Sequence, residues 1–132
     1  MTTIIIADHD PKVRSAMRLI LEQQPGCSKI IELDSSESLI ESALNNHAEV
    51  VIMEWELPGL QTNAQLITSL RKIYPPIKIV SLSDRERVGQ LAVALGANEF
   101  ISKTDSPEKL MDCVMKCCEC QKGDEKDKEL KE

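Results

Sequence analysis

Asp8-His9-Asp10, Glu54, Ser81-Leu82-Ser83 and Lys103 are the residues of this chain whose types can do chemistry together. Each group directly follows a short apolar run, in turn TIIIA, VVIM, IKIV and EFIS. Carboxylates suit a hard cation, imidazole suits a transition metal, and an ammonium pairs with nearby acids. A serine hydroxyl can donate or accept beside them. For residues this scattered to act as a unit, the runs that precede them must be neighbouring strands ending at one edge.

The patterning supplies such strands. Thr3–Ala7 is a β-branched run, and Pro11 then opens a helix on which Val13, Ala16, Met17, Ile20 and Leu21 recur at helical spacing, with Pro25-Gly26 as its stop. Lys29–Leu33 reads as a second strand, and Asp34-Ser35 as the cap of a helix carrying Leu39, Ile40, Ala43 and Leu44. Glu49–Met53 is the third strand; Thr62 or Asn63 caps the helix after it, which carries Leu66, Ile67, Leu70 and Ile73 and ends at Pro75-Pro76. Ile77–Ser81 is the fourth strand, followed by a helix from Asp84 that closes on Gly96. Glu99–Ser102 is the fifth, and Ser106-Pro107-Glu108 opens a last helix running to about Gln121.

Strands alternating with helices at this spacing, and apolar throughout rather than at every second position, predict an α/β fold. Its form is a five-stranded parallel sheet, doubly wound and flavodoxin-like, with helices on both faces and strand order 2-1-3-4-5. Sites in such sheets lie beyond the carboxyl ends of the strands, where the four groups above would converge. Residues 1–121 read as one domain. Residues 122–132 carry alternating charge and little to bury, and read as a mobile tail.

Composition narrows the function. A net charge of −6 and 2 % aromatic residues argue against a nucleic-acid grip by this segment, which favours protein partners. No apolar run approaches the ~20 residues of a membrane span, and MTTIIIADHD lacks a basic leader, so a cytoplasmic location is expected. Cys27, Cys113, Cys117, Cys118 and Cys120 are odd in number and mostly crowded into one segment, which is no disulfide framework. Cys113, Cys117 and Cys120 share one helical face beside Leu110 and Val114 and read as small apolar packing groups, not as ligands of a cluster.

The stretches IIIADHDPKVRSAM, VVIMEWELPGL, IKIVSLSD and ALGANEFISKTDSPEKL, in this order and spacing, resemble the receiver domain of two-component response regulators. The last resembles receivers of the NarL/LuxR type. The resemblance covers about residues 3–121 and implies roles by position. Asp8 and His9 match the acidic pair that holds Mg²⁺, and Glu54 matches the phosphoryl-accepting aspartate. Ser83 and Lys103 match the hydroxyl and ammonium that contact the phosphoryl oxygens, and Phe100 matches an aromatic that changes rotamer with the hydroxyl. Glu56 adds an acid at the edge of the metal position.

Two central positions depart from the family. Glutamate at 54 moves the carboxylate out by roughly 1.3 Å. Phosphoryl transfer needs in-line placement, and a ~1 Å displacement can cost about a hundredfold. The displaced carboxylate is expected to pair with Lys103, to hydrogen-bond Ser83, and to act as a partial mimic of the phosphorylated state. His9 removes an oxygen ligand and reads as a solvated loop histidine, so a Mg²⁺ site at Asp8, His9, Glu54 and Glu56 is expected to be weak or absent, with no other cofactor. Thr104 stands where receivers carry a cis proline, and a trans bond is expected there. Gln61-Thr62 replaces the usual Asp-Gly.

The sequence therefore reads as a signalling module of a phosphorelay, not an enzyme. Its action is phosphorylation-independent or atypical, through contacts with a histidine kinase, an output domain or a second copy on the face of the fourth helix, fifth strand and fifth helix. The alternative is an active phosphoreceiver using Glu54 or Asp8. A flavin or iron–sulfur redox protein is a third reading, disfavoured because DHDPK, not a glycine-rich phosphate loop, follows the first strand.

Overall fold

A computed structural model of the chain describes residues 2–24 and 27–117. The expected Pro25-Gly26 stop, the end of the last helix, Cys118, Cys120 and the tail at 122–132 lie outside the described residues. The elements run β1 (Thr2–Ala7), α1 (Pro11–Glu22), β2 (Cys27–Leu33), α2 (Leu39–Asn45), β3 (Val50–Glu54), α3 (Asn63–Ile73), β4 (Lys78–Ser83), α4 (Val88–Leu95) and β5 (Glu99–Ser102). A fifth helix, α5, begins at 107 and is described as far as 117.

The strands form one parallel sheet in the order β2-β1-β3-β4-β5. Successive side chains point to opposite faces, so each strand feeds two cores. Ile5, Ala7, Val51, Met53 and Ile79 face one core with Leu39, Leu66, Leu70 and Ala92 of α2, α3 and α4. Ile4, Ile6, Val50, Ile52 and Val80 face the other with Met17 and Leu21 of α1 and Leu110 and Val114 of α5. Val50 to Met53 are each 0 % exposed, which is why the run is apolar without alternation.

Three of the boundaries that differ from the sequence reading have a clear physical cause. β4 runs on to Ser83 because Ser81, Leu82 and Ser83 pair with Phe100, Ile101 and Ser102 of β5. α4 begins at Val88, not at Asp84; Ser83 Oγ accepts the Arg85 N–H at 3.1 Å and residues 84–87 form a turn instead. Asp34-Ser35 does not cap α2, which starts at Leu39, because the Ser36 N–H is drawn to the Pro58 carbonyl at 2.8 Å. That link ties the loop after β2 to the loop after β3. Gly59 makes it possible: at φ +134 a Cβ would lie 2.0 Å from Ser36 Oγ.

Other local signals act as their chemistry dictates. Asp10 caps α1 by accepting the Lys12 N–H, with Pro11 at the first helical position. Thr62 and Gln65 form a reciprocal capping box at the start of α3. Ser106 accepts the Lys109 N–H at the start of α5. The Lys103–Thr104 bond is trans.

Candidate functional site at the carboxyl edge of the sheet

β1 and β3 lie side by side with Ala7 opposite Met53, so Asp8 and Glu54 emerge together. The Asp8 N–H continues the ladder to the Leu33 carbonyl, and its Oδ1 accepts the Asp10 N–H at 2.9 Å. Arg14 donates to the Asp8 carbonyl at 2.7 Å. The loop between β1 and α1 is thereby held on three sides. β5 brings Lys103 alongside, its N–H bonded to the Ser83 carbonyl at 2.9 Å.

Asp8 and Glu54 are both 0 % exposed, an unusual place for two carboxylates unless they are paired. Their partners divide. The Lys103 ammonium stands 3.0 Å from Asp8 Oδ2 and 3.8 Å from Glu54 Oε1. The geometry at Asp8 Oδ2 is that of an ion pair without an aligned hydrogen bond. Glu54 turns instead to His9. Its Oε2 accepts the His9 backbone N–H at 2.5 Å, and His9 Nδ1 lies 2.8 Å from Oε1 and 2.9 Å from Oε2.

His9 is thus not merely a solvated loop residue. Its ring is 59 % exposed on one side and clamped to a buried carboxylate on the other. The longer glutamate makes this reach possible, and the expected bond from Ser83 to Glu54 does not form. Ser83 donates to Glu56 Oε1 at 3.0 Å, and Arg85 Nη2 meets the same oxygen at 2.8 Å. Glu56 therefore lies apart from Asp8, His9 and Glu54, whose ligand atoms fall within 4.8 Å of one another.

The electrostatics follow from this placement. Burial pushes the Asp8 carboxyl up, but hydrogen bonds with Glu54 and the Asp10 N–H, together with Lys103, outweigh it and hold it below the usual range. Burial raises the Glu54 carboxyl, and the neighbouring Asp8 raises it further. His9 is raised by its hydrogen bond and charge pairing with Glu54. Burial lowers Lys103, but Asp8 and then Glu54 more than restore it, so the ammonium stays charged.

Two residues of the site's frame carry no sequence signal for that role. Asn63, 3 % exposed, donates to the Glu54 carbonyl at 2.8 Å and fixes the end of β3 to the start of α3. Arg85 holds Glu56 over Ser83. An asparagine at a helix start reads as a cap, so nothing in its position signalled the longer-range bond. Phe100 lies half-buried against α4, with its ring where a Cβ on Gly89 would fall, 2.7 Å from Cδ2. Trp55 is half-buried beside the cleft. Cys117 is buried in the second core and Cys113 borders it; burial raises the Cys113 thiol, away from a reactive thiolate.

A five-stranded parallel sheet of order 2-1-3-4-5, wrapped by helices on both faces and carrying acids, a hydroxyl and a lysine at its carboxyl edge, defines a flavodoxin-like signalling fold. The match is direct: residues 4–115 fit the response regulator receiver domain, and the chain belongs to that family. It is 32 % identical over 106 residues to the response regulator GtcR of Aneurinibacillus migulanus, covering 80 % of this chain and 43 % of that one. It is 24 % identical to the nitrate/nitrite response regulator NarP of Escherichia coli, over 84 % of this chain and 52 % of that protein. The chain spans about half the length of such curated relatives. Among solved structures, the isolated receiver domain of RcsB from Salmonella enterica serovar Typhimurium, studied with a phosphomimetic, superposes with a TM-score of 0.80 at 24 % identity, each chain covered to 86 %. The chemotaxis response regulator CheY4 of Vibrio cholerae superposes at 0.77 with 17 % identity, over 89 % of this chain and 98 % of that one. Response regulator receiver domains are signalling modules. Among the described residues, no helix is long and apolar enough to cross a membrane.

Proposed function

We propose that this receiver domain signals without phosphorylation, or by an atypical route, and acts through protein contacts. The observation that carries this is the occupation of Glu54: both carboxylate oxygens, at the position of the phosphoryl acceptor, are engaged by His9. A nucleophilic carboxylate must present an oxygen in line with the phosphoryl donor, and this one is turned into an internal ion pair. The donors also fit Mg²⁺ poorly. Imidazole replaces one hard oxygen ligand and neutralises another, whereas Mg²⁺ demands near-octahedral oxygen coordination. Weak or absent Mg²⁺ binding belongs to the same proposal.

The surface for partners is the face of α4, β5 and α5. On the apolar α4 helix, Leu91 is 51 % and Val93 50 % exposed. Phe100 packs on Gly89 of the same helix, so a shift of α4 would be felt at β5. The relatives include a probable transcriptional regulatory protein of Hyphomicrobium methylovorum, and a histidine kinase, an output domain or a second copy are the corresponding partners for this chain. The test is incubation with acetyl phosphate and Mg²⁺, read by intact mass. The wild type is expected to show no phosphoryl adduct. The double variant His9→Asp, Glu54→Asp, which restores the family's acids, is expected to acquire one. A stoichiometric adduct on the wild type would establish instead an active phosphoreceiver using Glu54 or Asp8.

A further inference from the structure

We infer that the groove between α1 and α5 is a binding site for a small amphipathic anion, of the class of a medium-chain fatty acid or an arylalkanoate. The groove has a volume of about 300 Å³. Its walls are Val13, Met17 and Ile20 of α1 and Leu110 of α5, and its floor is Leu82 of β4 and Ile101 of β5. The sequence explains the shape. Val13, Met17 and Ile20 recur at i, i+4 and i+7 and form one apolar stripe. Ala16, on the same face, is small and exposed, and the gap toward α5 stays open beside it. Leu82 and Ile101 are only 4 % and 2 % exposed, so the groove ends on the sheet itself. A concave slot of this depth suits a slender molecule rather than the convex face of another protein. Its size lies at the lower end of ligand pockets, ~300–1,000 Å³, and its mostly apolar lining with a few polar groups at one end is typical of them.

The charges at the mouth select the sign of the ligand. Lys12, Lys103 and Asp105 border it. Asp105 is already neutralised: its Oδ2 lies 3.1 Å from Lys109 Nζ and accepts the Ser102 N–H at 2.9 Å. Lys103 leans to Asp8 at 3.0 Å and keeps 22 % of its side chain exposed. Lys12 is exposed and has no acidic partner among the described residues. The first turns of α1 and α5 flank the same mouth through Lys12 and Pro107, and helix N-termini favour anions. A carboxylate head would pair with Lys12 while the apolar body lies on Leu82 and Ile101. Those two residues precede Ser83 and Lys103 closely in the chain, so an occupant would bear on the strands that carry them. The inference does not depend on whether the domain is phosphorylated.

The experiment titrates the full chain with octanoate and, separately, with uncharged 1-octanol, followed by backbone amide chemical shifts. Octanoate is expected to saturate one site per chain, with the largest shifts at Val13, Ala16, Ile101 and Leu110, and to bind more tightly than octanol. Lys12→Ala is expected to weaken octanoate about three- to fivefold, the scale of a largely exposed ion pair, and to leave octanol unchanged. Ala16→Trp puts an indole into the groove from an exposed position and is expected to weaken both ligands at least ~10-fold while keeping the wild-type circular dichroism. Sedimentation of the unliganded wild type is expected to show a monomer at this face, unchanged in Ala16→Trp. The inference fails if octanoate does not saturate, if its shifts cluster elsewhere, or if octanol binds as tightly. Binding unaffected by Lys12→Ala or by Ala16→Trp would also overturn it. A dimer that Ala16→Trp dissociates would show that a second copy, not a small anion, fills the groove.

Discussion

His9 shows how one residue's surroundings change its role. Its pKa is raised by Glu54, so the folded value lies above the unfolded one near ~6.5. The stability contributed by protonation of His9 is therefore fully present below that pH and is lost as pH rises through the folded value. Glu54 is also raised, and its contribution likewise fades with rising pH, beginning from about 4.5. Asp8 runs the other way, because its lowered pKa supports the fold above about 3.8 and is lost as pH falls. Urea midpoints measured between about pH 6 and 9 are expected to decline in the wild type and to stay flatter in His9→Asn. Glu54→Gln is expected to return the His9 imidazole toward ~6.5, read by its proton chemical shifts. Equal titration of His9 in both proteins would show that the ion pair does not form in solution. Lys103→Ala leaves a wholly buried Asp8 carboxylate without its cation, and a loss of roughly 3 kcal/mol in urea unfolding is expected.

At the scale of elements, the contact between α4 and β5 is the most sensitive junction. Gly89→Ala gains about 1 kcal/mol of helix propensity but places a Cβ 2.7 Å from Phe100 Cδ2. Overpacking of this kind costs ~1–3 kcal/mol, so a net loss of up to about 2 kcal/mol is expected in chemical denaturation. Adding Phe100→Leu to Gly89→Ala should recover part of it. Further loss in the double variant would show that the ring is not what opposes the methyl. Burial and long-range pairing explain where the elements are and are not legible in the sequence. β3 was read almost to its last residue because burial on both faces leaves a continuous apolar run. The start of α4 differs from the sequence expectation because Ser83-Asp84 has the composition of a cap, while the β5 ladder holds Ser83 in the strand. α2 was misplaced for a similar reason: Ser36 spends its N–H on Pro58, a partner 22 positions away in the chain.

For the whole molecule, two cores on one sheet make the central strands common to both. Leu70 of α3 is 0 % exposed beneath one of them, and Leu70→Ala is expected to cost about 2–5 kcal/mol, measurable as a shift in urea midpoint. A domain stability of about 5–15 kcal/mol makes that a large share. A loss below 1 kcal/mol would mean that the α3 face is packed less tightly than its burial implies.

The sequence by itself determined the sheet, its strand order through the family resemblance, and the convergence of Asp8, Glu54, Ser83 and Lys103 at one edge. These follow from hydrophobic period and chain order, which are local or repeated signals. Only the tertiary structure decided who pairs with whom. Lys103 stands closer to Asp8 than to Glu54, Ser83 turns to Glu56 and Arg85, and Glu54 is taken by His9. A carboxylate's choice among several nearby donors depends on differences of about an ångström in reach, and residue type and spacing do not encode distances that fine.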